Sequence, residues 1–468
     1  MNNHSSPQPV RHTVSVPKIL ELFSRLLSLQ PLLPIQTLCP RLRFYDRLWT
    51  PLLTLWYVVW QRLQLDPTLD AVVKDARRGG ADALTPTGRP LSQRLRSRAT
   101  AAFSNARQRL PLRWLRHAFS RLTEGLRAEA PRLTWQGLDV GLLDGSTVRL
   151  RPHGNIPKRF SPATNQHGPA YWCLVRVVVA FCAGSGLAVA TGLGPVSASE
   201  QTLAVALILR GVANWVWVGD RNFGVWRIAR AAVQAHSHVL VRLSETRARR
   251  LLGRSLQVGL DLAVQWTPSR ADQVDPGLDA LPVTGRLLVL RVRRAGFRDE
   301  VLYLFTTLTD ATLYPAEELL ALYGIRWQVE LNLRHVKAQM QLAQLEVKSA
   351  RLAIQSWYAG LLAYNLIRGV MLWAGAQAGV APLTLSFAQT RRLVIAAVRD
   401  WQRGGGGGTR LELWAQLLAD VAATVPPRRK KPRPNEPRAK YHVREMFPPL
   451  RGTRAAARRQ LLESQLKS

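Results

Sequence analysis

The sequence predicts an α/β fold in which helices cover a mixed β-sheet, with a helical region before it and a basic region after it. Near residue 135 the helical pattern gives way to short apolar runs of the kind that form strands. After that point strands come first, and then strands and helices alternate, which is typical of a mixed sheet with helices on its faces. At 468 residues, the chain is long enough for two or three domains.

Residues 1–135 are predicted to form a helical, basic N-terminal region that binds DNA. An amphipathic helix is expected over 17–29, and a Trp- and Leu-rich segment over 46–65 is expected to pack as core. Arginines recur between apolar positions over 91–122, without a clean helix-turn-helix pattern. Two interpretations of that stretch remain open: a solvated helical face, or an element that contacts DNA phosphates.

The next segment, residues 136–247, is expected to hold the first part of a sheet with its covering helices. Its strands are expected at 138–143, 147–150, 173–181, 187–193, 215–218 and 238–243, and its helices at 199–210 and 225–236. Because strands in the middle of a covered sheet are buried on both faces, such runs are short and almost wholly apolar.

Residues 248–308 interrupt this alternation. Strand-like patterns occur at 262–266, 286–293 and 300–308 with no convincing helix between them, which indicates a β-rich insertion. Residues 309–375 then return to helices, the second of them mostly apolar and therefore expected to be buried. Those two helices are expected at 315–340 and 352–373.

The last segment, residues 376–468, is predicted to be a C-terminal helical region followed by a basic tail. A glycine run at 404–408 is expected to act as a flexible linker. The stretch 426–438 is dense in Pro, Arg and Lys, so by itself it is expected to be extended and to bind phosphate without sequence preference.

The charge of the chain points to a polyanionic partner. It has 65 Lys and Arg against 30 Asp and Glu, a formal net charge of +35, and an excess of this size predicts nucleic-acid binding. Arg greatly outnumbers Lys, and its planar fork suits bidentate contacts with phosphate and guanine. Base composition of the genome would explain Arg over Lys, but not the excess of basic over acidic residues.

Cysteine usage and hydropathy favour a cytoplasmic protein. Cys39, Cys173 and Cys182 lack metal-ligand spacing, and an odd number of cysteines argues against a disulfide framework. No apolar run reaches the length of a membrane span without charged residues or glycines, and the polar start of the chain does not resemble a signal peptide. We therefore expect no membrane partner.

One predicted helix, 322–340, carries an unusual set of polar side chains. Tyr323, Arg326, Glu330 and Lys337 lie within about 60° of one another on a helical wheel at 100° per residue. An apolar stripe at core-facing spacing adjoins them, and its members are Ile325, Val329, Leu333, Val336 and Met340. A single carboxylate among cations and a phenol suits a site that handles metal and phosphate together.

Two aspartates complete a candidate metal site with Glu330. Asp144 and Asp220 each stand where a short apolar strand is expected to end. Three oxygen donors without Cys or His suit Mg²⁺ or Mn²⁺, and such carboxylates commonly hold a pair of ions that activates an attacking hydroxyl and stabilises the leaving oxygen.

Each of these carboxylates also has a structural interpretation. Asp144 could belong to an Asp-Gly turn, and Asp220 could cap the following helix. Glu330 could be one member of an ion-pair ladder with Arg326 and Arg334. The order of the three residues along the chain, and the elements that carry them, favour the metal site.

These residues carry a resemblance to a known family. The set Tyr323-x2-Arg326-x3-Glu330-x6-Lys337 resembles the YREK signature of bacterial insertion-sequence DDE transposases, the group typified by insertion sequence four. Trp327 also fits that pattern. The segments 143–146 and 219–224 are similar to the two catalytic Asp segments of the family, and shorter matches occur at 165–168 and 199–200. The resemblance spans roughly residues 90–375.

The resemblance implies a fold and a set of roles. It implies a ribonuclease H-like catalytic core interrupted by a β-strand insertion, with Asp144, Asp220 and Glu330 as the catalytic triad that binds two Mg²⁺ (or Mn²⁺) ions. The roles of the DNA-binding residues follow in the same way. Gripping of the DNA backbone near the cleaved end is implied for Tyr323, Arg326 and Lys337. Trp327, or Tyr303 on the last insertion strand, would stack on a flipped base, although both could be core aromatics.

The predicted function is that of a DNA transposase. It would cut the inverted ends of its own element and join the 3′-hydroxyl ends to target DNA, acting as a homodimer on two paired ends in the bacterial cytoplasm, associated with the nucleoid. Two alternatives stay open: a related nuclease without strand transfer, and a non-catalytic domesticated DNA-binding protein. A binding role alone would not need all three carboxylates.

Overall fold

The structure is a computed structural model. It describes residues 48–66, 68–82, 89–129, 134–165, 168–273, 275, 277–292, 300–402, 410–425 and 453–465. The helix predicted at 17–29, the glycine run at 404–408 and the basic stretch at 426–438 lie outside the described residues.

The chain divides into two compact units. The first comprises residues 1–292 and 301–428, and the second comprises 293–300 and 429–468. The first unit contains the sheet and its covering helices, so the α/β class is confirmed. In the second unit the described residues include the helix α15, Arg454–Gln465.

A ten-stranded sheet organises the first unit. Its strands are β1 (Asp139–Leu150), β2 (Pro162–Asn165), β3 (Gly168–Cys182), β4 (Ala188–Pro195), β5 (Trp215–Gly219), β6 (His238–Arg242), β7 (Asp261–Trp266), β8 (Val283–Val292), β9 (Glu300–Thr306) and β10 (Gln344–Leu345). The main path runs β2-β3-β1-β5-β6-β9-β8-β7, with β4 paired to β3 and β10 paired to β1.

The sheet is mixed around β1. The strand β1 is antiparallel to β3, which is antiparallel to β4, whereas β1 is parallel to β5, which is parallel to β6. Beyond β6 the sheet continues through β9, β8 and β7, and the β6–β9 and β7–β8 pairs are antiparallel. The strands predicted over 248–308 therefore extend this same sheet, and residues 248–252 belong to the helix before them.

Helices cover both faces of the sheet. They are α1 (Pro51–Leu63), α2 (Leu69–Arg77), α3 (Leu91–Arg94), α4 (Ala101–Arg109), α5 (Leu112–Glu129), α6 (Ile156–Arg159), α7 (Glu200–Ile208), α8 (Trp226–Gln234), α9 (Glu245–Leu252), α10 (Ala316–Gly324), α11 (Trp327–Arg334), α12 (Ala350–Ala378), α13 (Phe387–Gln402) and α14 (Arg410–Ala422). A π-helical turn, His335–Gln339, follows α11, and a 3₁₀ turn spans Pro382–Thr384.

Successive residues of the central strands β1 and β5 enter one or the other of two hydrophobic cores, as strand geometry requires. Leu142 and Val218 pack into the larger core, which contains α12, whereas Leu143 and Trp217 pack into a second core with α7 and α8. We call these two sides of the sheet the α12 face and the α7 face. Every residue on β1 and β5 is thereby assigned to a face by its position in the strand.

The helix α12 is the centre of the larger core. It is the one helix among the described residues that is long and apolar enough to cross a membrane, but 94% of its most apolar window is buried inside the protein. Its buried Asn365 donates hydrogen bonds to Thr123 Oγ1 on α5 (3.0 Å) and to the carbonyl of Ala188 on β4 (2.8 Å). The buried amide of Asn365 is thus satisfied by neighbours far away in sequence.

The N-terminal predictions are partly confirmed. Most of α1 is buried, as expected for the segment 46–65. The stretch 91–122 is not one element, because it forms α3, α4 and the first part of α5. Its Arg107 is 9% exposed, and burial lowers the pKa of its guanidinium. For this arginine the interpretation as a solvated face is wrong.

The helix predicted at 315–340 is real but segmented. After α10 the amides of Ile325 and Arg326 bond carbonyls three residues back, a tight 3₁₀-like turn, before α11 begins. At the other end the amide of Met340 bonds the carbonyl of His335, which closes the π-helical turn. The predicted apolar stripe is confirmed, since four of its members are buried and Ile325 is partly buried.

Two buried arginines hold the π-helical turn from behind. Arg368 on α12 donates to Asn332 Oδ1 (2.7 Å) and lies 3.1 Å from His335 Nδ1. Burial and the neighbouring Arg368 lower the pKa of His335 to about 4, so its imidazole is neutral at pH 7 and can accept from the guanidinium. Arg391 on α13 donates to the carbonyl of Gln339 and to carbonyls at the end of α1. This widened turn is therefore fixed by side chains outside the helix.

Candidate active site

The parallel register of β1 and β5 places Asp144 and Asp220 at the same level. Leu142 is paired with Val218, and each aspartate comes two residues later in its chain. Residues two apart in a strand share a face, so Asp144 lies on the α12 face with Leu142. Asp220 comes directly after the last residue of β5, near enough for its charge to raise the pKa of the Asp144 carboxyl. The register thus brings the two aspartates to the same end of neighbouring strands.

Asp144 does not belong to a turn. The two strands predicted at 138–143 and 147–150 are one continuous strand, β1, and Asp144 lies in its interior opposite Val179 of β3. Its Oδ1 accepts a hydrogen bond from the amide of Gly145 (2.8 Å). Pairing with the long strand β3 keeps this polar segment extended. The prediction that the strand ends at Asp144 is therefore wrong, and so is the alternative in which Asp144 belongs to an Asp-Gly turn.

Burial raises the pKa of the Asp144 carboxyl to about 6. The nearby charges of Asp220 and Glu200 raise the pKa further, whereas the Gly145 amide and Arg326 lower it. A carboxylate that is desolvated beside other carboxylates favours a cation or a proton. This electrostatic environment is the one that a divalent metal ion would relieve.

Asp220 organises the turn that follows β5. Its Oδ1 accepts from the amide of Asn222 (2.9 Å), a side-chain-to-backbone bond two residues on that is typical of an Asx turn. The following helix α8 has Val225 at its N-cap. The alternative role of Asp220 as the cap of that helix is therefore wrong.

Arg326 stands among the acidic groups. It donates from Nη2 to Glu330 Oε1 (3.1 Å), and its side chain is 20% exposed against 37% for Glu330. Burial would lower the pKa of this guanidinium, but Tyr323, Glu330 and Asp220 raise it above its ordinary value. The ion pair between Arg326 and Glu330, one of those expected on this helix, is thus present. The Arg326 guanidinium also interacts electrostatically with Asp144 and Asp220.

The other residues of the helical set have different environments. Lys337 Nζ donates to Ser146 Oγ (2.9 Å), and Ser146 lies two residues after Asp144 on the same strand. Tyr323 is 7% exposed, whereas Trp327 is 55% exposed. Tyr303 packs beside the second core, as expected of a core aromatic.

The three candidate metal ligands fit a divalent ion in chemistry. All are carboxylates, the preferred donors of Mg²⁺ and Mn²⁺, and the aspartates lie at the same end of neighbouring strands. Among the described residues, however, no group of three or more His, Cys, Asp or Glu is close enough to hold a metal ion. Electrostatic coupling through Arg326 is present, while convergence on a single point is not.

Glu200, Arg176 and Asn222 are site residues that the sequence alone did not identify. Glu200 Oε1 accepts from Arg176 Nη1 (3.2 Å), and its Oε2 accepts from Asn222 Nδ2 (2.7 Å). Asn222 lies in the segment 219–224 that resembles the family, and the signal for Glu200 was the Ser199-Glu200 pair, which opens α7 with a serine cap. Nothing in that pair indicates partners 24 and 22 residues away.

The chain is similar to known transposases. Residues 135–366 match the family model described as Transposase DDE domain. The chain is 29% identical over 386 residues to the transposase InsG for insertion sequence element IS4 of Escherichia coli (strain K12), and the match covers 80% of this chain and 82% of that protein. A solved structure of the piggyBac transposase synaptic complex with hairpin DNA covers 91% of this chain and 90% of its own, at 11% identity and a TM-score of 0.39.

The matched range includes the strand that carries Asp144, the turn that carries Asp220 and the helix that carries Glu330. The likeness to the piggyBac structure is too loose to define the fold. Over residues 135–366 the chain resembles a DDE transposase domain, and over most of its length it resembles a bacterial insertion-sequence transposase.

Proposed function

We propose that this protein is a DNA transposase that binds the inverted ends of its insertion sequence, cuts them by metal-dependent phosphodiester hydrolysis and joins the 3′-hydroxyl ends to target DNA. The observation that carries the proposal is that Asp144 on β1 and Asp220 directly after β5 lie at the same level and both interact with Arg326, which is paired to Glu330. Carboxylates that interact with a common guanidinium are suited to metal ions and to phosphate.

The strand order supports a ribonuclease H-like core. Three antiparallel strands, β4-β3-β1, continue into two parallel strands, β5 and β6. In this proposal residues 136–247 and 309–375 form the core, and residues 248–308 form an insertion between the second aspartate and Glu330. The flanking parts, 1–135 and 376–468, would add DNA contacts.

In this proposal Asp144, Asp220 and Glu330 hold two Mg²⁺ or Mn²⁺ ions. When bound, such a pair activates the attacking water or hydroxyl and stabilises the leaving oxygen. The protein groups supply the rest. Because Asp144 is largely buried and hydrogen-bonded to the next amide, its orientation is fixed before any ion arrives.

The cations of the helical set would hold the DNA end. Arg326 can exchange its bond with Glu330 for a bidentate contact with phosphate, and Lys337 can reach a phosphate from its place beside Ser146. Tyr323 would contribute from a largely buried position through its hydroxyl. The exposed ring of Trp327 is available to stack on a base displaced from the duplex.

The partners of the proposed activity are double-stranded DNA, as element ends and as target, and a second copy of this chain on the paired end. The excess of basic residues favours binding to DNA in the bacterial cytoplasm, near the nucleoid. Cutting two ends in concert requires two such sites, and each copy carries one.

Alanine substitutions at the three carboxylates test the proposal. Asp144→Ala, Asp220→Ala and Glu330→Ala should each abolish Mg²⁺-dependent cleavage of a labelled element end, while binding to that end in a gel-shift assay persists. Glu346→Ala, which removes an exposed carboxylate ion-paired with Arg151, is the matched control and should cleave normally. Retained cleavage in any of the three variants would overturn the assignment.

A joining assay separates this activity from its alternatives. An element end pre-cut to expose its 3′-hydroxyl should become joined to a supercoiled target plasmid. A protein that cleaves but never joins would be a nuclease, and a protein that binds ends without cleaving them would be the domesticated DNA-binding protein.

A further inference from the structure

Glu200 approaches the candidate active site from the opposite side of the sheet. Gly145 follows Asp144 on β1 and therefore faces the α7 side. A Cβ on Gly145 would lie 2.1 Å from the Cδ atom of Glu200, so the carboxylate fills the space that a side chain would occupy there. Only the strand backbone separates the Glu200 carboxylate from the Asp144 side of the sheet.

A chain of hydrogen bonds runs from this carboxylate to Asp220. Glu200 Oε2 accepts a hydrogen bond from the side-chain Nδ2 of Asn222 at 2.7 Å. The backbone amide of Asn222 donates to Asp220 Oδ1 at 2.9 Å. Gln201 Nε2 adds a bond to the carbonyl of Asn222 at 2.9 Å. The turn that carries Asp220 is thus attached to the first residues of α7.

Arg176 anchors the other oxygen of Glu200. Its Nη1 donates to Glu200 Oε1 at 3.2 Å, and its Nη2 donates to the carbonyl of Val196 at 3.2 Å. Both side chains are mostly buried, 25% exposed for Arg176 and 19% for Glu200, so water competes weakly for these bonds. Arg176 belongs to β3, the antiparallel neighbour of β1.

We propose that Glu200 is a positioning residue that sets the separation of Asp144 and Asp220 from behind the sheet. It contacts β1 at Gly145, β3 through Arg176 and the turn after β5 through Asn222, and these three segments carry or adjoin the two aspartates. The inference rests on the proposed function, because the separation of the aspartates matters only if they hold metal together.

Glu200 acts through other residues in this proposal. Its two oxygens already accept from Arg176 and Asn222, and the alternation of the strand places it on the face opposite Asp144. Supporting groups of this kind orient the ligands of a metal, and their loss commonly weakens metal binding.

Exchanging the donor and the acceptor between Glu200 and Asn222 tests the proposal in the full-length protein. Asn222→Asp places a carboxylate against a carboxylate, and should raise the Mn²⁺ concentration for half-maximal binding about tenfold or more, measured by electron paramagnetic resonance. Glu200→Gln alone should have a small effect, because its amide oxygen can still accept from Arg176 and the Asn222 amide can turn to accept from its nitrogen.

The double variant Glu200→Gln with Asn222→Asp should restore Mn²⁺ affinity toward that of the wild type. There the glutamine nitrogen donates to the new carboxylate, while its oxygen still accepts from Arg176. A purely structural loss at Asn222 would not be repaired by a second substitution, so this rescue supports positioning. A double variant no better than Asn222→Asp overturns the proposal.

Two further variants keep the test decisive. Asn222→Ala removes the donor without adding charge, and should weaken Mn²⁺ binding even if Asn222→Asp folds poorly. Asn214→Asp places the same new charge at the exposed start of β5 and should leave Mn²⁺ binding unchanged. Unaltered Mn²⁺ binding by both Asn222 variants overturns the positioning role.

Mn²⁺ binding and cleavage by the wild-type protein separate a failure of the proposed function from a failure of the role of Glu200. A wild-type protein that neither binds Mn²⁺ nor cleaves element ends overturns the proposed function and this inference with it. A wild-type protein that does both, beside Asn222 variants that match it, overturns only the role of Glu200.

Discussion

The two halves of the candidate active site are built in different ways. The strand half, Asp144 and Asp220, is set by a backbone ladder between β1 and β5 and is braced from behind by Glu200. The helical half, from Arg326 to Lys337, stands on a segment with a tight turn before it and a π-helical turn at its end. One half is fixed by main-chain hydrogen bonds and the other by side chains of α12 and α13.

This difference separates the fixed part of the site from the adjustable part. A ladder of strand bonds cannot shift one residue without reversing the faces of every side chain. A helix with 3₁₀ and π turns can change its pitch locally, and such irregularities are frequent at functional sites. We therefore expect the aspartates to keep their places when DNA binds, and Glu330 with Arg326 to move.

The largest effect should come from crowding the strand half. In Gly145→Ala the new Cβ would collide with Glu200, and the carboxylate would have to leave Arg176 and Asn222. We expect about a 100-fold loss in the rate of end cleavage, measured with a labelled DNA end at saturating protein.

Gly324→Ala, at the end of α10 just before the helical half, is the matched control. A Cβ at Gly324 meets no atom within 4 Å, and alanine is the better helix former. Cleavage by this variant should equal that of the wild type. Equal loss in both glycine variants would show that the strand half is no more tightly constrained than the helical half.

An intermediate effect should follow from removing the cation of the helical half. Arg326→Ala removes the partner of Glu330 and the guanidinium proposed for phosphate, and should weaken binding to element ends about tenfold. Arg326→Lys keeps the charge but not the planar fork, so its affinity for element ends should lie between those of the wild type and Arg326→Ala. The measurement is a binding titration at fixed salt concentration.

Arg334→Ala is the control for that titration, since this exposed arginine ends the same helix. Its loss should alter end binding less than the loss of Arg326. The opposite order would place the DNA contact on the other side of α11.

The smallest effect should be one on stability, in the metal-free protein. The pKa of Asp144 is raised to about 6 in the folded chain from 3.8, so its protonated form stabilises the fold at low pH. That contribution is lost as pH rises from about 4 through about 6. Asp144→Asn cannot ionise, and its free energy of unfolding should exceed that of the wild type above pH 6, by on the order of 1 kcal/mol after allowance for solvent screening.

Urea titrations of both proteins at pH 4.5 and pH 7.5 measure this difference. A difference in the free energy of unfolding that grows with pH would confirm that ionisation of Asp144 destabilises the folded protein. A constant gap would mean that the aspartate is already solvated, and the strand half would then be more open than its burial indicates.

Many of the strands and helices could be predicted from the sequence, whereas the roles of the site residues that it names stay predictions. The short apolar runs that became β5 and β6 were predictable because strands covered on both faces are almost wholly apolar. The middle of β1 was not, because Asp144-Gly145-Ser146 favours a turn locally and only pairing with β3 overrides that preference.

The other failures have the same cause. The π-helical turn depends on Arg368 and Arg391, which reach it from α12 and α13. The position of Glu200 depends on its hydrogen bonds with Arg176 and Asn222. Contacts between side chains distant in sequence leave no periodic pattern, so a single sequence does not reveal them.

The place of α12 at the centre of the core has a consequence for how the chain is made. Asn365 of this helix donates a hydrogen bond to Thr123, which lies 242 residues earlier in the sequence. The helices synthesised first therefore keep apolar surface exposed until α12 has been made. A nascent chain in that state is open to chaperones and to aggregation. Translation that stops before Ala350 would therefore yield a chain that contains Asp144, Asp220 and Glu330 but lacks the helix needed to hold them in place.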